Sequence, residues 1–486
     1  MLILKDQKQR ISHHFVKRIV QVRKLSIFSL VMMNIAALGG IKTWAPIAES
    51  GFTAVFFLIL ATLVFFLPTA LISSELSTSW PKSGGVYVWI KEAFGHKLAF
   101  LSIWLLWIEN VIWYPTILSF IAAAITFIFN PELIHNKLYM VSLILTLFWG
   151  ATIANFFGLK ISSWISSVGA ICGTFIPSFL IIGLGLVWYL QGNQAHISFS
   201  MDNFFPDFTS GSQLMLFSGV IASFLGIEMS SIHAGNVHNP TKTYSRAILL
   251  SAFCVIVFST LGVLTIEMVV PASELSLNAG CLQAFSFLLN AFALKGLLPW
   301  IAIIVAIGAA GSMSTWIVGP CSGLIFASQE HDLPPLLTKL NKKKVPQNLL
   351  ICQAILVSCL SLVFLFMPTV NNAYWMLLIL TTQLYLIMYV LLFAAAIKLK
   401  YKFPDLHRPF QVPGGKIGMW ITAGLGILSS LFTFGIAFVP PANLSPEASF
   451  HFIAFLVVSI TFLSSIPYLS RKFLRKPALE TPLTNS

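Results

Sequence analysis

The chain has 486 residues, of which 57% are hydrophobic and 9% charged, against roughly 25% charged in a soluble domain. That balance excludes an ordinary soluble enzyme and points to a protein whose solvent is lipid. A net charge of +13 would suit nucleic acid in a soluble protein; here it is read as a topology signal facing anionic inner-leaflet lipids, and no nucleic-acid partner is expected.

Apolar runs of about 20 residues, the length needed to cross a hydrocarbon core about 30 Å thick, recur along the chain. They give about twelve spans, near 26–48, 52–75, 98–129, 139–157, 166–190, 213–233, 246–270, 297–327, 349–368, 373–397, 418–440 and 450–470. The fold class expected is therefore all-α integral membrane. Before the first span, residues 1–24 form a basic leader without the short apolar core and small-residue cleavage site of a signal peptide. Of the 29 basic residues, 26 fall in the leader, alternate loops and tail, leaving Lys137 and Lys295 on the opposite side and Lys42 inside a span. By the positive-inside rule both termini are cytoplasmic, in a multi-pass protein of the cell membrane, with a bacterial inner membrane favoured.

Span 1 carries "NIAALGGIKTW", Asn34 to Trp44, and span 6 carries "FLGIEMSSIH". Each holds a Gly-Ile-charge tripeptide, Gly40-Ile41-Lys42 and Gly226-Ile227-Glu228, five spans apart. An odd number of spans per repeat inverts the second copy. The organisation expected is a first five-helix repeat over 25–200, a second, inverted one over 201–400, two additional helices over 401–470 and a short tail over 471–486. Paired Gly-interrupted spans point to a transporter's central site. Broken helices leave unpaired N–H and C=O groups away from water, suited to the carboxylate and the ammonium of a free amino acid. A Lys or Glu at the bilayer centre costs at least about 2.5 kcal/mol, so such residues usually face a cavity and a partner. Substrate-binding candidates here are Ala37, Gly39, Gly40, Ile41, Lys42, Gly226, Ile227 and Glu228.

Other polar residues stand within the spans. Glu109 in "WIENVIWYP" either pairs with Lys42 or locks span 3, whereas Glu267 in "LTIEMVVP" is near an outer end and reaches water. Span 8 places Ser312, Thr315 and Trp316 on one face, and span 10 places Gln383, Tyr385 and Tyr389 within two turns. Glu109, Ser312 and Thr315 are candidates for coupling or structural roles. Five of the six cysteines, Cys172, Cys254, Cys321, Cys352 and Cys359, lie in spans, and Cys281 lies in an outward loop. No metal-ligand spacing occurs and no cofactor is expected. Three cytoplasmic connections look ordered: Glu75 to Lys97, Gln329 to Pro346 and Lys398 to Lys416. The "PGGK" of the last lacks the GxxxxGK[ST] of a phosphate loop.

Taken together, "ELSTSWPKSGGVYVWIKEAFG", "GIEMSSIHAGNVHNP", "WIVGPCSGLIFASQEHDLPPLLTKLNKKKVP" and "PDLHRPFQVPGGK" resemble the glutamate/GABA antiporter branch of the amino acid-polyamine-organocation transporters. The resemblance runs from about Ser26 to Leu469. It implies a fold of five-plus-five inverted repeats with discontinuous spans 1 and 6 and two extra spans, rocking between outward-open and inward-open states. It also implies exchange of an amino acid for its decarboxylated product. The family's span 6 glutamate falls on Glu228, its span 8 tryptophan on Trp316 and its span 10 tyrosines on Tyr385 and Tyr389. Three features depart from it: Ser312 stands where the glutamate/GABA exchangers carry an acid, span 1 reads "GGIK", and the tail after Leu469 is short for a vestibule plug. The function expected is a secondary active amino acid transporter, an antiporter working by alternating access, with small-molecule amino acid substrates and membrane lipids as partners. The alternatives are a proton- or sodium-coupled symporter and a non-transporting amino acid sensor. An enzyme is not expected, for no nucleophile-base pair or metal motif shares a depth. The oligomeric state is open.

Overall fold

The computed structural model describes residues 27–38, 40–81, 84–156, 171–229, 240–328, 332–343, 345–367, 369–440 and 445–474. All regular elements among them are helical. Ten helices are long and apolar enough to cross a membrane: span 2 Thr53–Ser79, span 3 His96–Phe129, span 4 Lys137–Phe156, span 5 Gly173–Leu190, span 7 Thr243–Val269, span 8 Lys295–Ala327, span 9 Gln347–Phe366, span 10 Val370–Lys402, span 11 Gly415–Ile436 and span 12 Pro446–Ser470. Helix suits this composition because lipid satisfies no backbone N–H or C=O, and an α-helix satisfies its own.

Span 1 is broken, and the described part of span 6 leaves α-helical geometry, where the Gly-Ile-charge tripeptides predict. Span 1 runs as a helix over Ile27–Ala37, leaves helical geometry, and resumes as a short 3-10 turn Ile41–Thr43 and a helix Trp44–Ala48. Span 6 runs over Gly211–Ser223 and gives way to a turn at residues 224–226 and a tight turn at 227–229. Gly226 has φ +110°, which an L side chain rarely adopts, and a Cβ there would lie 3.1 Å from the Trp316 ring. Glycine answers both demands. With these two, the described residues give twelve candidate spans.

Lipid is as apolar as leucine, so membrane helices associate through close fit and polar contacts rather than by escaping water. Spans 5 and 8 approach until a Cβ on Gly173 would stand 1.9 Å from the Gly308 backbone. Polar stitches reinforce the fit. Asn34 Nδ2 donates to Ser251 Oγ across spans 1 and 7 at 3.1 Å, Trp107 Nε1 donates to Gln353 Oε1 across spans 3 and 9 at 3.1 Å, and Ser429 Oγ donates to the Val64 carbonyl across spans 11 and 2 at 3.0 Å. Spans 3 and 10 are each 83% buried along their most apolar window, span 12 only 22%. The centre of the molecule is thus walled by spans 3 and 10, and span 12 is peripheral.

The connection between spans 2 and 3, expected to be ordered, contains a helix, Val86–Phe94, set off by Gly85 and Gly95 with φ +46° and +87°. It turns Val86, Trp89 and Ile90 inward. Two expectations are corrected. Cys281 is not exposed: it is buried in a helix, Gly280–Ala291, between spans 7 and 8. Glu267 does not reach water: it is 5% exposed, and neither carboxyl oxygen has a hydrogen-bond partner among the described residues. A position near a helix end did not reveal that neighbouring elements cover it. The basic leader and the segment beyond Leu474 lie outside the described residues, as does Gly39.

Candidate functional site

The breaks in spans 1 and 6 open beside a cavity bounded by spans 3, 8 and 10. It offers about 70 Å³ to the centres of water-sized spheres, several times the roughly 10–15 Å³ that one water needs. Span 3 contributes Glu109, Trp113, Thr116, Ile117 and Phe120, and span 10 contributes Tyr374, Leu378, Thr381, Thr382 and Tyr385. Steps of three and four residues keep each set on one helix face. Span 1 adds Lys42, Thr43 and Pro46, span 6 adds Ser223 and Leu225, and span 8 adds Trp316.

Lys42, the first residue after the break to carry a charge, is 9% exposed. Its ammonium donates to Ser312 Oγ of span 8 at 2.9 Å and stands 5.1 Å from the centroid of the Trp113 ring, a cation–π contact. It also lines a second, smaller cavity with Gly40 and Ile41 of span 1 and Thr174 of span 5. Lys42 and Phe120 are therefore shared by the walls of the two spaces. Of the two readings of Glu109, pairing with Lys42 is not found among the described ion pairs. Instead Glu109, 3% exposed, accepts from the Asn110 amide at Oε1. The next residue along the helix, invisible to charge counting, became its partner.

Glu228 is fully buried. Tyr385 donates its hydroxyl to Oε1 at 2.7 Å and Tyr389 donates to Oε2. The same Tyr389 oxygen accepts the Gly226 N–H at 2.8 Å. One donor freed by the span 6 break is thus satisfied by a side chain of span 10 rather than left for a ligand. Tyr385 is on the cavity wall, whereas Glu228 and Tyr389 are behind it. Two donors on the wall do lack a partner among the described residues, the Trp316 indole N–H and the Thr381 hydroxyl.

The remaining candidates divide. Gly40, Ile41, Gly226 and Ile227 are at the breaks, Ile227 with its side chain buried. Ala37 ends the first half of span 1 and Thr315 lies on span 8, but their side chains are outside the described set. Gln383 points away, its amide nitrogen 3.3 Å from the Phe434 carbonyl by span 11. Sequence reading missed Asn110, Trp113, Thr116, Ser223, Tyr374, Thr381 and Thr382. The three-and-four spacing from Glu109 to Phe120 and from Tyr374 to Tyr385 was the available signal.

An all-α bundle with two helices interrupted at matching places around a central cavity that holds a buried lysine and a buried glutamate defines a membrane transporter of the broken-helix type. The particular family follows from comparison with known proteins. A family model described as "Amino acid permease" matches residues 25–462, and the chain belongs to that family. It is 39% identical to an uncharacterized transporter of Legionella pneumophila over 92% of this chain and 96% of that one. It is 31% identical to a glutamate/gamma-aminobutyrate antiporter of Lactococcus lactis over 92% of this chain and 90% of that protein. A probable agmatine/putrescine antiporter of the same species is 24% identical over 84% of this chain and 88% of its own length.

Proposed function

We propose that the chain is a secondary amino acid antiporter that binds its substrates one at a time in the cavity between the broken spans and span 3, and works by alternating access. The observation that carries this reading is the meeting of both breaks with span 10 at one cavity lined by Lys42 and Glu109. Movement of either break changes that wall. The antiporters among its relatives support exchange as the coupling mode. Gly39, Gly40, Ile41 and the residues around Ala37 supply backbone to the substrate, and Lys42 and Trp316 supply side-chain donors. Gly226, Ile227 and Glu228 act through Tyr385 and Tyr389 as the hinge-side wall, while Ser312 sets the contact between span 8 and Lys42 and Thr315 is assigned a coupling or structural role. The five-helix repeats are assigned to 25–200 and 201–400, with two additional helices over 401–470.

Counterflow in proteoliposomes tests the exchange. Uptake of labelled amino acid should require substrate inside the vesicle; uptake driven by a proton or sodium gradient into empty vesicles would make the protein a symporter instead. Orientation, proposed with both termini in the cytoplasm of a bacterial cell, is tested by single-cysteine labelling at Lys343 and Lys295, both exposed. The background must lack native cysteines, because Cys359 is exposed and Cys254 and Cys352 are partly so. Labelling from outside at 295 and not at 343 is expected, and the reverse would invert the topology.

A further inference from the structure

The side chains that line the main cavity include one cation, Lys42, and one carboxylate, Glu109. They belong to different elements and form no ion pair with each other among the described residues. Lys42 is held by Ser312 and by the Trp113 ring, with a further N–H donor nearby on Trp316. Anionic groups of a substrate therefore find their donors toward spans 1 and 8. Span 3 presents the opposite character. Glu109 Oε1 accepts one bond, from Asn110, and the side chain lines the cavity. Glu228 lies behind Tyr385 and offers no oxygen to the cavity. A second substrate carboxylate would meet the acceptor oxygens of Glu109 with no second lining cation to balance it. An ammonium group would be stabilised by those oxygens.

We propose that Glu109 is a specificity-determining residue that reads the ammonium end of the substrate, selecting compounds with one carboxylate and an amine remote from it over dicarboxylates. The inference rests on the antiporter reading and on the cavity assigned to it. It also separates Glu109 from a helix-locking role. A structural lock affects every substrate alike, whereas a charge that reads an amine changes the ratio between substrates.

The test uses the full chain in proteoliposomes, with inhibition of counterflow measured for γ-aminobutyrate, L-lysine and L-glutamate in wild type, Glu109→Gln and Glu109→Asp. Wild type should take the two amines at least roughly tenfold better than glutamate, the size of a lost charge-assisted hydrogen bond. Glu109→Gln should shrink that ratio by about the same factor, and Glu109→Asp, which keeps the charge, should retain most of it. A wild type that takes glutamate as well as the amines would overturn the proposal, and so would an unchanged ratio in a Glu109→Gln protein that melts normally. Should Glu109→Gln fail to insert, the wild-type ratio decides. Exchange of these compounds with the wrong ratio sinks the role of Glu109 alone, whereas no exchange with any amino acid sinks the antiporter reading as well.

Discussion

The hydroxyl of Tyr385 donates to the carboxylate of Glu228 at 2.7 Å, joining span 10 to the break in span 6 across 157 residues of sequence. Tyr389, one turn further along, donates to the other oxygen and accepts the Gly226 N–H. The two tyrosines therefore differ in what they hold. Phe66 stacks on Phe224 at the same break, with ring centroids 4.4 Å apart, so span 2 buttresses it from another side.

Tyr389→Phe should be the more damaging of the two. It leaves both a carboxylate oxygen and a backbone N–H without their partner, each worth about 1–3 kcal/mol when buried unsatisfied. Tyr385→Phe removes one contact to Glu228. Melting temperatures in detergent should rank wild type above Tyr385→Phe and Tyr385→Phe above Tyr389→Phe. Equal melting of the two variants would mean that the Gly226 contact adds nothing. Glu228→Gln should leave folding nearly intact, since the amide fills the site, while exchange falls severely; near-normal exchange would make the carboxylate structural.

Lys42 and Ser312 should couple. Lys42→Met and Ser312→Ala remove the same hydrogen bond, so the double variant should lose less stability than the sum, with an interaction of about 0.5–3 kcal/mol. Lys42→Met and Glu228→Gln share no partner among the described residues, and their effects should add to within about 0.5 kcal/mol. A double-mutant cycle measures both. Strong coupling between positions 42 and 228 would mean that another state of the transporter pairs them directly.

Glu75 anchors one end of the bundle. Its Oε1 receives Lys400 at 2.8 Å and Arg408 at 3.1 Å, and its Oε2 accepts the Val412 N–H at 2.7 Å. All three side chains are buried. Glu75→Ala strands two cations, at a cost of about 3–5 kcal/mol for breaking a buried pair. Inserted, monodisperse protein should drop sharply on size-exclusion chromatography, and removing Lys400 as well should recover part of it. Wild-type yield from Glu75→Ala would show that water reaches the network.

Glu49, beyond the last turn of span 1, ties that end to span 10 by accepting the Trp375 indole N–H at 2.7 Å. Burial raises its carboxyl pKa, and the Trp375 hydrogen bond pulls it partway back. A carboxyl with a raised folded pKa binds its proton more tightly folded than unfolded, so stability falls as pH rises from the unfolded value, about 4.3, through the folded one. Below the unfolded value the cost is absent. Glu49→Gln should therefore remove this fall, so that the melting temperature of the variant gains on that of wild type as pH rises above about 4.3. An identical slope in the variant would assign the dependence to other groups.

The length and apolarity of its runs were enough to decide that this chain crosses the membrane about twelve times, because a helix must span a fixed thickness and satisfy its own backbone. Gly226 likewise marked its break in one dimension, since a left-handed φ needs glycine whatever surrounds it. Tertiary structure alone decided which side chain each charge meets. Lys42 finds Ser312 at a separation of 270 residues, and Tyr389 finds Glu228 at 161. Those pairings depend on how each helix is rotated and how closely its neighbours approach, and hydrophobicity carries little of that where lipid and protein interior are alike. The same rotation placed Glu109 on the cavity wall and Glu228 behind it, although the two acids are indistinguishable as letters in an apolar run.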